Sequence, residues 1–248
     1  MMRHIIIGIR GQIGTCVHTF LNGVNEWDVV GVEYGDRVVE GEHFDGGEYG
    51  MMHVCIPYYS YGEFIEAVSF YMGKYASKHV VIYSTVEPGV SEALGVGVCH
   101  SPVEGRHPNL VAGFRVFRRL VSGRDAVVVG DYYRKWGLEV ETFDRCVVTE
   151  LGKLLSTTRY GLSILFAAEE EKLCHGYGVK FEDVVLAYQR MYNNGYRKLN
   201  EDRFIQPMIV PPEGNIKGHC IVPNAKILQR VTEHPWVKDL ADYNSYEI

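Results

Sequence analysis

The sequence predicts an α/β protein in which a doubly wound parallel sheet is followed by a smaller, all-helical domain with one long helix. Over residues 1–147, short apolar runs rich in β-branched residues alternate with segments of helical periodicity, a pattern typical of parallel strands joined by helices. A proline-free stretch then runs from Thr149 to His175, and at ~1.5 Å rise per residue it is close to 40 Å long. We therefore predict two domains, residues 1–147 and 148–248.

Composition narrows the class of protein. The chain has 248 residues, with 46% hydrophobic and 23% charged residues, as in a soluble globular protein. A net charge of −6 argues against a nucleic-acid-binding surface. No apolar run approaches the roughly 20 residues that span a bilayer, and we see no signal peptide. The six cysteines include no Cys-x-x-Cys pair, which favours a reducing cytoplasm. Since Cys and His occur as direct neighbours, we expect no metal site.

The first element is a strand, a glycine turn and a helix. His4–Gly8 is an apolar run that predicts a buried strand, and Thr15–Leu21 predicts a helix. The turn between them is the context of a Rossmann-like dinucleotide-binding site, where backbone N–H groups at a helix start face a pyrophosphate. A glycine turn that simply joins a strand to a helix is the alternative.

Two alignments of this turn with G-x-G-x-x-G stay open. Gly11 and Gly14 match the second and third glycines, so that Ile9 stands where the first belongs. Otherwise Gly8 is the first glycine and one residue is inserted. The candidate cofactor-binding residues of the turn are Gly8, Gly11, Gln12, Ile13 and Gly14.

The predicted second strand, Asp28–Glu33, ends in an acid. Glu33 lies about 20 residues after the glycines, where a carboxylate accepts hydrogen bonds from ribose hydroxyls. Asp36 is a nearby substitute, and a solvated acid at a strand end is the alternative. An acid here favours NAD over NADP, because it repels a 2′-phosphate.

The rest of the first domain continues the alternation. The predicted strands are Met51–Ile56, His79–Tyr83, Gly97–Cys99, Phe114–Val121 and Leu138–Val140; the predicted helices are Tyr61–Tyr75 and Asp125–Trp136; the predicted loops are Tyr34–Tyr49 and Ser101–Asn109. Ligands bind at the carboxyl ends of parallel strands. We therefore expect Ser84 and Thr85, which follow the strand His79–Tyr83, at the ligand-binding edge.

The second domain carries a candidate nucleophile. A helix over Phe181–Tyr192 closes at Asn193–Gly195, a proline-marked linker follows, and a last helix covers Ala225–Thr232. Between them, Cys220 lies next to His219 in a turn-rich segment, a setting that suits a reactive thiol. A buried, inert cysteine is the alternative.

Four motifs in this order resemble the UDP-glucose/GDP-mannose 6-dehydrogenase family. They are Ser84-Thr85-Val86-Glu87-Pro88-Gly89, Glu150-Leu151-Gly152-Lys153-Leu154-Leu155, the segment Glu169–Gly178 and Gly218-His219-Cys220-Ile221. Together they extend the resemblance from the first strand to about Leu228.

The resemblance implies the oxidation of the C6 alcohol of a nucleotide sugar to a carboxylate with two NAD molecules. It implies that Cys220 traps the intermediate aldehyde as a thiohemiacetal, which is oxidised to a thioester and hydrolysed. Lys153 would then stabilise an oxyanion or orient water, since a fixed cation beside developing negative charge lowers the barrier. Thr85 would lie near the nicotinamide or the water.

The sequence also departs from the family pattern. The family asparagine is Thr157 here, and the family aspartate is Asn224, whose amide cannot act as a base. The Ser-Pro-Glu motif has become Ser101–Glu104, with Glu104 displaced by one position, and Pro223 is displaced likewise. We include Glu104, Thr157 and Asn224 among the candidate catalytic residues. Family members continue with a further nucleotide-sugar-binding domain of about a hundred residues, and we expect a short or divergent member without it.

Two other functions stay open. The substitutions at Thr157 and Asn224 suit a catalytically impaired nucleotide-binding protein derived from that family. A β-hydroxyacid dehydrogenase has a similar layout, although Thr157 breaks its Lys-x-x-x-Asn pattern too. For either enzyme we expect a small-molecule substrate, a nucleotide sugar by resemblance to the first family. We also expect a homodimer through residues 149–192, because the apolar face of a long helix needs a partner.

Overall fold

A computed structural model describes residues 2–26, 28–33, 35–41, 48–106, 108–216 and 220–243. The chain divides into two compact units, Met1–Lys153 and Leu154–Ile248. The predicted boundary between residues 147 and 148, and the roles assigned to the two domains, stay predictions.

The first unit alternates strands and helices. In chain order its elements are β1 (His4–Ile7), α1 (Gln12–Gly23), β2 (Val29–Glu33), β3 (Arg37–Glu40), β4 (Tyr49–Val54), α2 (Tyr61–Lys74), β5 (Ser77–Ile82), α3 (Val90–Ala93), β6 (Val98–His100), α4 (Leu110–Val116), β7 (Arg119–Ser122), α5 (Ala126–Lys135) and β8 (Val140–Phe143). Across the described residues these strands form one eight-stranded sheet in the order β3-β2-β1-β4-β5-β6-β7-β8. The sheet is parallel from β2 to β6, whereas β3 runs antiparallel to β2 and β7 antiparallel to β6. The predicted Rossmann-like α/β fold is confirmed.

Helices cover both faces of this sheet, so its central strands are buried on both sides. On one face, Phe20 of α1, Phe114 of α4 and Tyr133 of α5 belong to one apolar cluster. On the other, Phe64 of α2 and Val90 of α3 belong to a second cluster. This double burial explains the continuous apolar runs in the sequence, and it leaves the strand ends as the accessible edges.

Two predicted elements of the first unit are wrong in part. The predicted loop Tyr34–Tyr49 contains β3, an edge strand of four residues whose two valines are too short an apolar run to predict a strand. Tyr34 and residues 42–47 of that loop lie outside the described residues. The predicted strand Phe114–Val121 is the end of α4 followed by β7. Phe114 packs against Phe20 with ring centroids 4.8 Å apart, so tertiary packing overrides the aromatic strand propensity here.

The second unit is helical, and the predicted long helix is confirmed. The long helix α6 (Val147–Gly176) begins in the first unit, and the second continues with a π-helical segment (Glu182–Leu186), α7 (Ala187–Lys198), a 3₁₀ turn (Asp202–Phe204), α8 (Ile221–Gln229) and α9 (Pro235–Asp242). The predicted stop at Asn193–Gly195 is wrong, because α7 continues to Lys198. Asn193 is buried and its side-chain amide makes two hydrogen bonds to the backbone of Gln206, so it organises the next loop instead of ending the helix.

The last two helices also differ from the sequence-based expectation. Helix α8 begins four residues before the predicted start at Ala225, and α9, with Pro235 in its first turn, was not predicted. Both helices contribute to a small core that includes Val222 and Leu240. Among the described residues, none of the helices is both long and apolar enough to cross a membrane.

Candidate functional site

The glycine turn after β1 is held by backbone contacts that only glycine permits. Gly8 has φ +82°, its N–H donates to the Val32 carbonyl at 2.8 Å and its carbonyl accepts the Gly11 N–H at 3.1 Å. A Cβ on Gly8 would lie 2.8 Å from the Cys55 carbonyl oxygen. Gly8 therefore occupies the turn position of the first glycine, and one residue is inserted before Gly11.

Helix α1 packs directly onto this turn. A Cβ on Gly14 would lie 2.1 Å from the Gly8 carbonyl oxygen, so the third glycine lets the helix approach the turn. Gly11 is the N-cap residue and supplies no side chain, while Gln12 is exposed and Ile13 half-buried at the helix start. The first N–H groups of a helix carry partial positive charge, and together with this close packing they fit a pyrophosphate.

A cavity of about 1070 Å³ opens beside the turn, and its lining includes Gly8, Gly11, Glu33 and Asp36. The Glu33 carboxylate accepts the Arg10 backbone N–H at 2.6 Å, which fixes it next to the turn. Asp36 accepts a hydrogen bond from the Tyr75 hydroxyl at 2.6 Å and is ion-paired with Lys74. The cavity is large enough for a cofactor, and both acids have defined positions in it.

The turn Ser84–Gly89 follows β5 and is anchored by two side chains. Ser84 Oγ donates to the Ile56 carbonyl at 2.6 Å, while Thr85 is half-buried beside it. Glu150, fully buried in the first turn of α6, accepts the backbone N–H groups of Gly89 at 2.6 Å and Ser91 at 2.8 Å. Burial raises the pKa of Glu150, and these N–H groups oppose the rise. The hydrogen bond from Gly89 to Glu150 thus connects the Ser84–Gly89 motif to the Glu150–Leu155 motif.

His100 connects the same turn to α6 a second time. Its Nε2 atom lies 3.1 Å from the Ser84 carbonyl oxygen and its Nδ1 atom 2.7 Å from Thr149 Oγ1, which also bonds Ser122 Oγ. Burial lowers the pKa of His100 to about 4, so the ring is neutral near pH 7. The start of α6 is therefore bonded to the ends of three strands.

Lys153 lies one helical turn further along α6. Its Nζ atom donates to the Val103 carbonyl at 2.8 Å and forms an ion pair with Glu104 at 3.0 Å. The side chain of Lys153 is 13% exposed. The structure thus brings together two of the predicted catalytic residues, Lys153 on α6 and Glu104 in the loop after β6. Glu150 connects the same helix to the Ser84–Gly89 turn.

In the second unit, the structure brings together three other predicted residues. Cys220 is exposed at the N-cap of α8, so the alternative of a buried cysteine is wrong. Its neighbours Lys217, Gly218 and His219 lie outside the described residues. Asn224 is buried, its N–H donates to the Cys220 carbonyl at 3.0 Å, and its Nδ2 atom donates to Thr157 Oγ1 at 3.1 Å. Thr157 and Asn224, the two positions at which the sequence departs from the pattern that it resembles, are therefore in contact.

Sequence reasoning missed Glu150 and His100. Glu150 belongs to the Glu150–Leu155 motif, but the sequence does not show whether its carboxylate is exposed or buried. His100 directly follows the predicted strand Gly97–Cys99 and was not predicted as a site residue. The signal for Glu150 was its place at the start of the long helix. The signal for His100 was its place at the end of a strand.

Comparisons with known proteins identify the fold. No protein-family model and no curated protein matches this chain. UDP-D-ManNAc dehydrogenase from Pyrococcus horikoshii superposes with a TM-score of 0.78 at 16% identity, over 98% of this chain and 68% of that one. UDP-glucose dehydrogenase from Pyrobaculum islandicum superposes with 0.71 at 17% identity, over 99% and 68%. The 3-hydroxyisobutyrate dehydrogenase of Mycobacterium tuberculosis superposes with 0.69 at 12% identity, over 99% and 93%.

This chain has the fold of these dehydrogenases. The expected resemblance to the UDP-glucose/GDP-mannose dehydrogenases is confirmed at the level of the fold, and the chain spans about two thirds of the length of the nucleotide-sugar dehydrogenases compared.

Proposed function

We propose that the chain is an NAD-dependent dehydrogenase that oxidises a primary alcohol to a carboxylate, in the manner of the nucleotide-sugar 6-dehydrogenases. One observation carries this proposal. The Lys153 ammonium is held by Val103 and Glu104, on a helix that the buried Glu150 carboxylate joins to the Ser84–Gly89 turn. This is the edge of an α/β sheet at which ligands bind.

The residues around the glycine turn fit NAD, which supplies a two-electron acceptor for the hydride of the alcohol. The packing of Gly8 and Gly14 leaves no room for a Cβ, so backbone approaches the cavity closely. We assign the N–H groups of Gln12 and Ile13 to the pyrophosphate. Glu33 is assigned to the ribose hydroxyls, a role in which its charge disfavours a 2′-phosphate. Ser84 and Thr85 complete the cofactor side of the site.

The chemistry uses one fixed cation and one thiol. Lys153 would stabilise negative charge on the substrate oxygen as its proton passes to water, and bound NAD would supply the acceptor for the hydride. Cys220 would add through its thiolate to the aldehyde carbon and hold it as a thiohemiacetal, and a second molecule of NAD would supply the acceptor for the hydride whose loss leaves a thioester. Water cleaves the C–S bond, which releases the carboxylate and returns the thiol. Asn224 cannot accept a proton from that water.

The first test is ligand binding followed by turnover. NAD, NADP and UDP- and GDP-sugars are titrated in a thermal-shift assay, since a ligand at a hundred times its Kd stabilises the fold by about 2.7 kcal/mol. NADH formation is then measured with every sugar that binds. We expect Cys220→Ser to bind NAD normally and to form no acid. Unchanged acid formation by Cys220→Ser rejects the cysteine mechanism.

A single-step 3-hydroxyacid dehydrogenase is the second candidate. The observation that favours it is the similarity to 3-hydroxyisobutyrate dehydrogenase over 93% of that enzyme. In this case Lys153 acts alone, and Cys220→Ser keeps its full activity on a small hydroxy acid. The replacement of the family residues by Thr157 and Asn224 motivates a third candidate, a catalytically impaired nucleotide-binding protein, which NADH formation from any sugar would dismiss.

We propose that the protein acts on a small molecule in the cytoplasm as a homodimer through residues 149–192. Large apolar side chains of α6 and α7 are exposed, among them Phe166, Leu173 and Tyr188, and such a surface favours a partner. All six cysteines are free thiols, which supports a reducing compartment. Sedimentation tests the assembly, and a monomer at micromolar concentration would contradict it.

A further inference from the structure

A buried guanidinium lies behind the lysine site. Arg119, the first residue of β7, is 1% exposed and stacks on Phe114, with Cζ 4.3 Å from the ring centroid. Its Nη2 atom donates to the Ser101 carbonyl at 2.9 Å, the Ser101 hydroxyl at 2.8 Å and the Pro102 carbonyl at 2.7 Å. None of these acceptors is a carboxylate. A buried charge is costly, so its hydrogen bonds hold the Ser101–Pro102 backbone firmly.

The next two residues of that backbone hold the catalytic lysine. The Val103 carbonyl accepts a hydrogen bond from Lys153 Nζ at 2.8 Å, and the Glu104 carboxylate forms the ion pair at 3.0 Å. The Lys153 ammonium therefore takes its position from a four-residue segment whose first half is bonded to Arg119. Displacement of Ser101 or Pro102 would displace both of its partners.

The charge of Arg119 affects two buried titratable groups. Burial raises the pKa of Tyr133 to about 12 and the charge of Arg119 opposes the rise, so that the phenol stays protonated. Burial is the main reason for the low pKa of His100, and the charges of Arg119 and Lys153 both lower it further. His100 thus lies within electrostatic range of both cations.

We propose that Arg119 is the positioning residue of the lysine site. It touches no substrate and acts by holding Ser101 and Pro102, so that Val103 and Glu104 fix the Lys153 ammonium. The catalytic purpose of that arrangement rests on the proposed function. The chemical reactivity of Lys153 reports on the arrangement directly. A failure of the positioning proposal can therefore be distinguished from a failure of the proposed function.

The experiment measures the reactivity of Lys153 towards trinitrobenzenesulfonate at one fixed pH, with the modified peptides quantified by mass spectrometry. Lys78, which is 61% exposed on β5, is the internal reference. In Arg119→Met we expect the Lys153 rate to rise about ten-fold, because the loss of charge-assisted hydrogen bonds frees the segment. The matched control is Arg118→Met, since Arg118 is 58% exposed and pairs only loosely with Glu139 and Glu141.

The conservative variant Arg119→Lys keeps a cation that donates to the same oxygens, and we expect it to return the Lys153 rate towards that of the wild type. Should Arg119→Met fail to fold, Ser101→Ala carries the test, because it removes one acceptor and is expected to raise the rate about three-fold. An unchanged Lys153 rate in the folded variant overturns the proposal. So does an equal rise in Arg118→Met or at Lys78, which would indicate general loosening. If the wild-type protein has no dehydrogenase activity and Arg119→Met still gives the ten-fold rise, the positioning role of Arg119 is supported and the proposed function is rejected.

Discussion

The carboxyl edge of the sheet is built in two different ways at its two ends. The glycine turn comes from one short stretch, residues 8–14, together with Glu33 at the end of the neighbouring strand. The lysine end is assembled from Ser84, His100, Glu104 and Glu150, which are far apart in the chain. The glycine-turn end consists of backbone groups and requires residues without a side chain. The lysine end is made of polar side chains, most of them buried, and needs each partner in place.

The largest expected effect is at the lysine end. Lys153→Met removes the cation beside the reacting oxygen, and we expect kcat/KM to fall about 10²–10³-fold, or ~2.7–4 kcal/mol. Steady-state NADH formation with a sugar identified by thermal shift measures this loss. Lys172→Met, an exposed lysine of the same helix, is the control and should keep its activity. Activity in Lys153→Met equal to that of the control would remove the lysine from the mechanism.

Acid should destabilise the fold, and the buried His100 imidazole at the lysine end contributes to this loss. The pKa of His100 is about 6.5 in the unfolded chain and about 4 in the folded one, so the unfolded state binds the proton more tightly. The stabilisation is complete above pH 6.5 and is lost as the pH falls towards 4, by about 3 kcal/mol.

The measurement is urea unfolding across that pH window. Burial lowers the pKa of His4 to about 4 and that of His53 well below its usual range, so they contribute in the same direction. His100→Gln should reduce the pH dependence, whereas His175→Gln, an exposed control, should leave it as in the wild type. Equal pH dependence in His100→Gln and wild type would contradict the assignment of a neutral buried imidazole.

At the glycine turn, even the methyl side chain of alanine should lower the free energy of unfolding. Gly14→Ala places a Cβ 2.1 Å from the Gly8 carbonyl oxygen, and we expect a loss of about 1–3 kcal/mol in the free energy of unfolding and weaker NAD binding. Urea unfolding and NAD titration measure both quantities. Gly73→Ala, with open space around the new Cβ in α2, should be neutral or stabilising. Normal NAD affinity in Gly14→Ala would show that the close packing is dispensable.

The smallest effect is expected from Glu33→Gln, which removes a charge and keeps the hydrogen-bonding oxygen. The ratio of the NADP Kd to the NAD Kd should fall a few-fold, since a pair of partly exposed charges contributes about 1 kcal/mol or less. Parallel titrations of both cofactors give the ratio, with Glu139→Gln, at the exposed residue just before β8, as the control. A ratio that does not change would assign the discrimination to Asp36 instead.

The sequence by itself determined the alternation of strands and helices, the glycine turn and the long helix. These features follow from local patterns, because hydrophobic periodicity and glycine stereochemistry act between near neighbours. Lys153 and Cys220 were predicted from short motifs that resemble the dehydrogenase family, and their roles stay predictions. Local reasoning failed for β3, where the apolar run is only two residues long, and for the end of α7, where the burial of Asn193 has no local signal.

Only the tertiary structure decided how the polar residues at the lysine end combine. Burial turns Glu150 into an anchor for the Ser84–Gly89 turn and keeps His100 neutral, and burial depends on segments distant in the chain. It also decided that Gly8 makes the turn, through the nearby Cys55 carbonyl. Desolvation and hydrogen-bond geometry are properties of the packed chain, so no reading of neighbouring residues contains them.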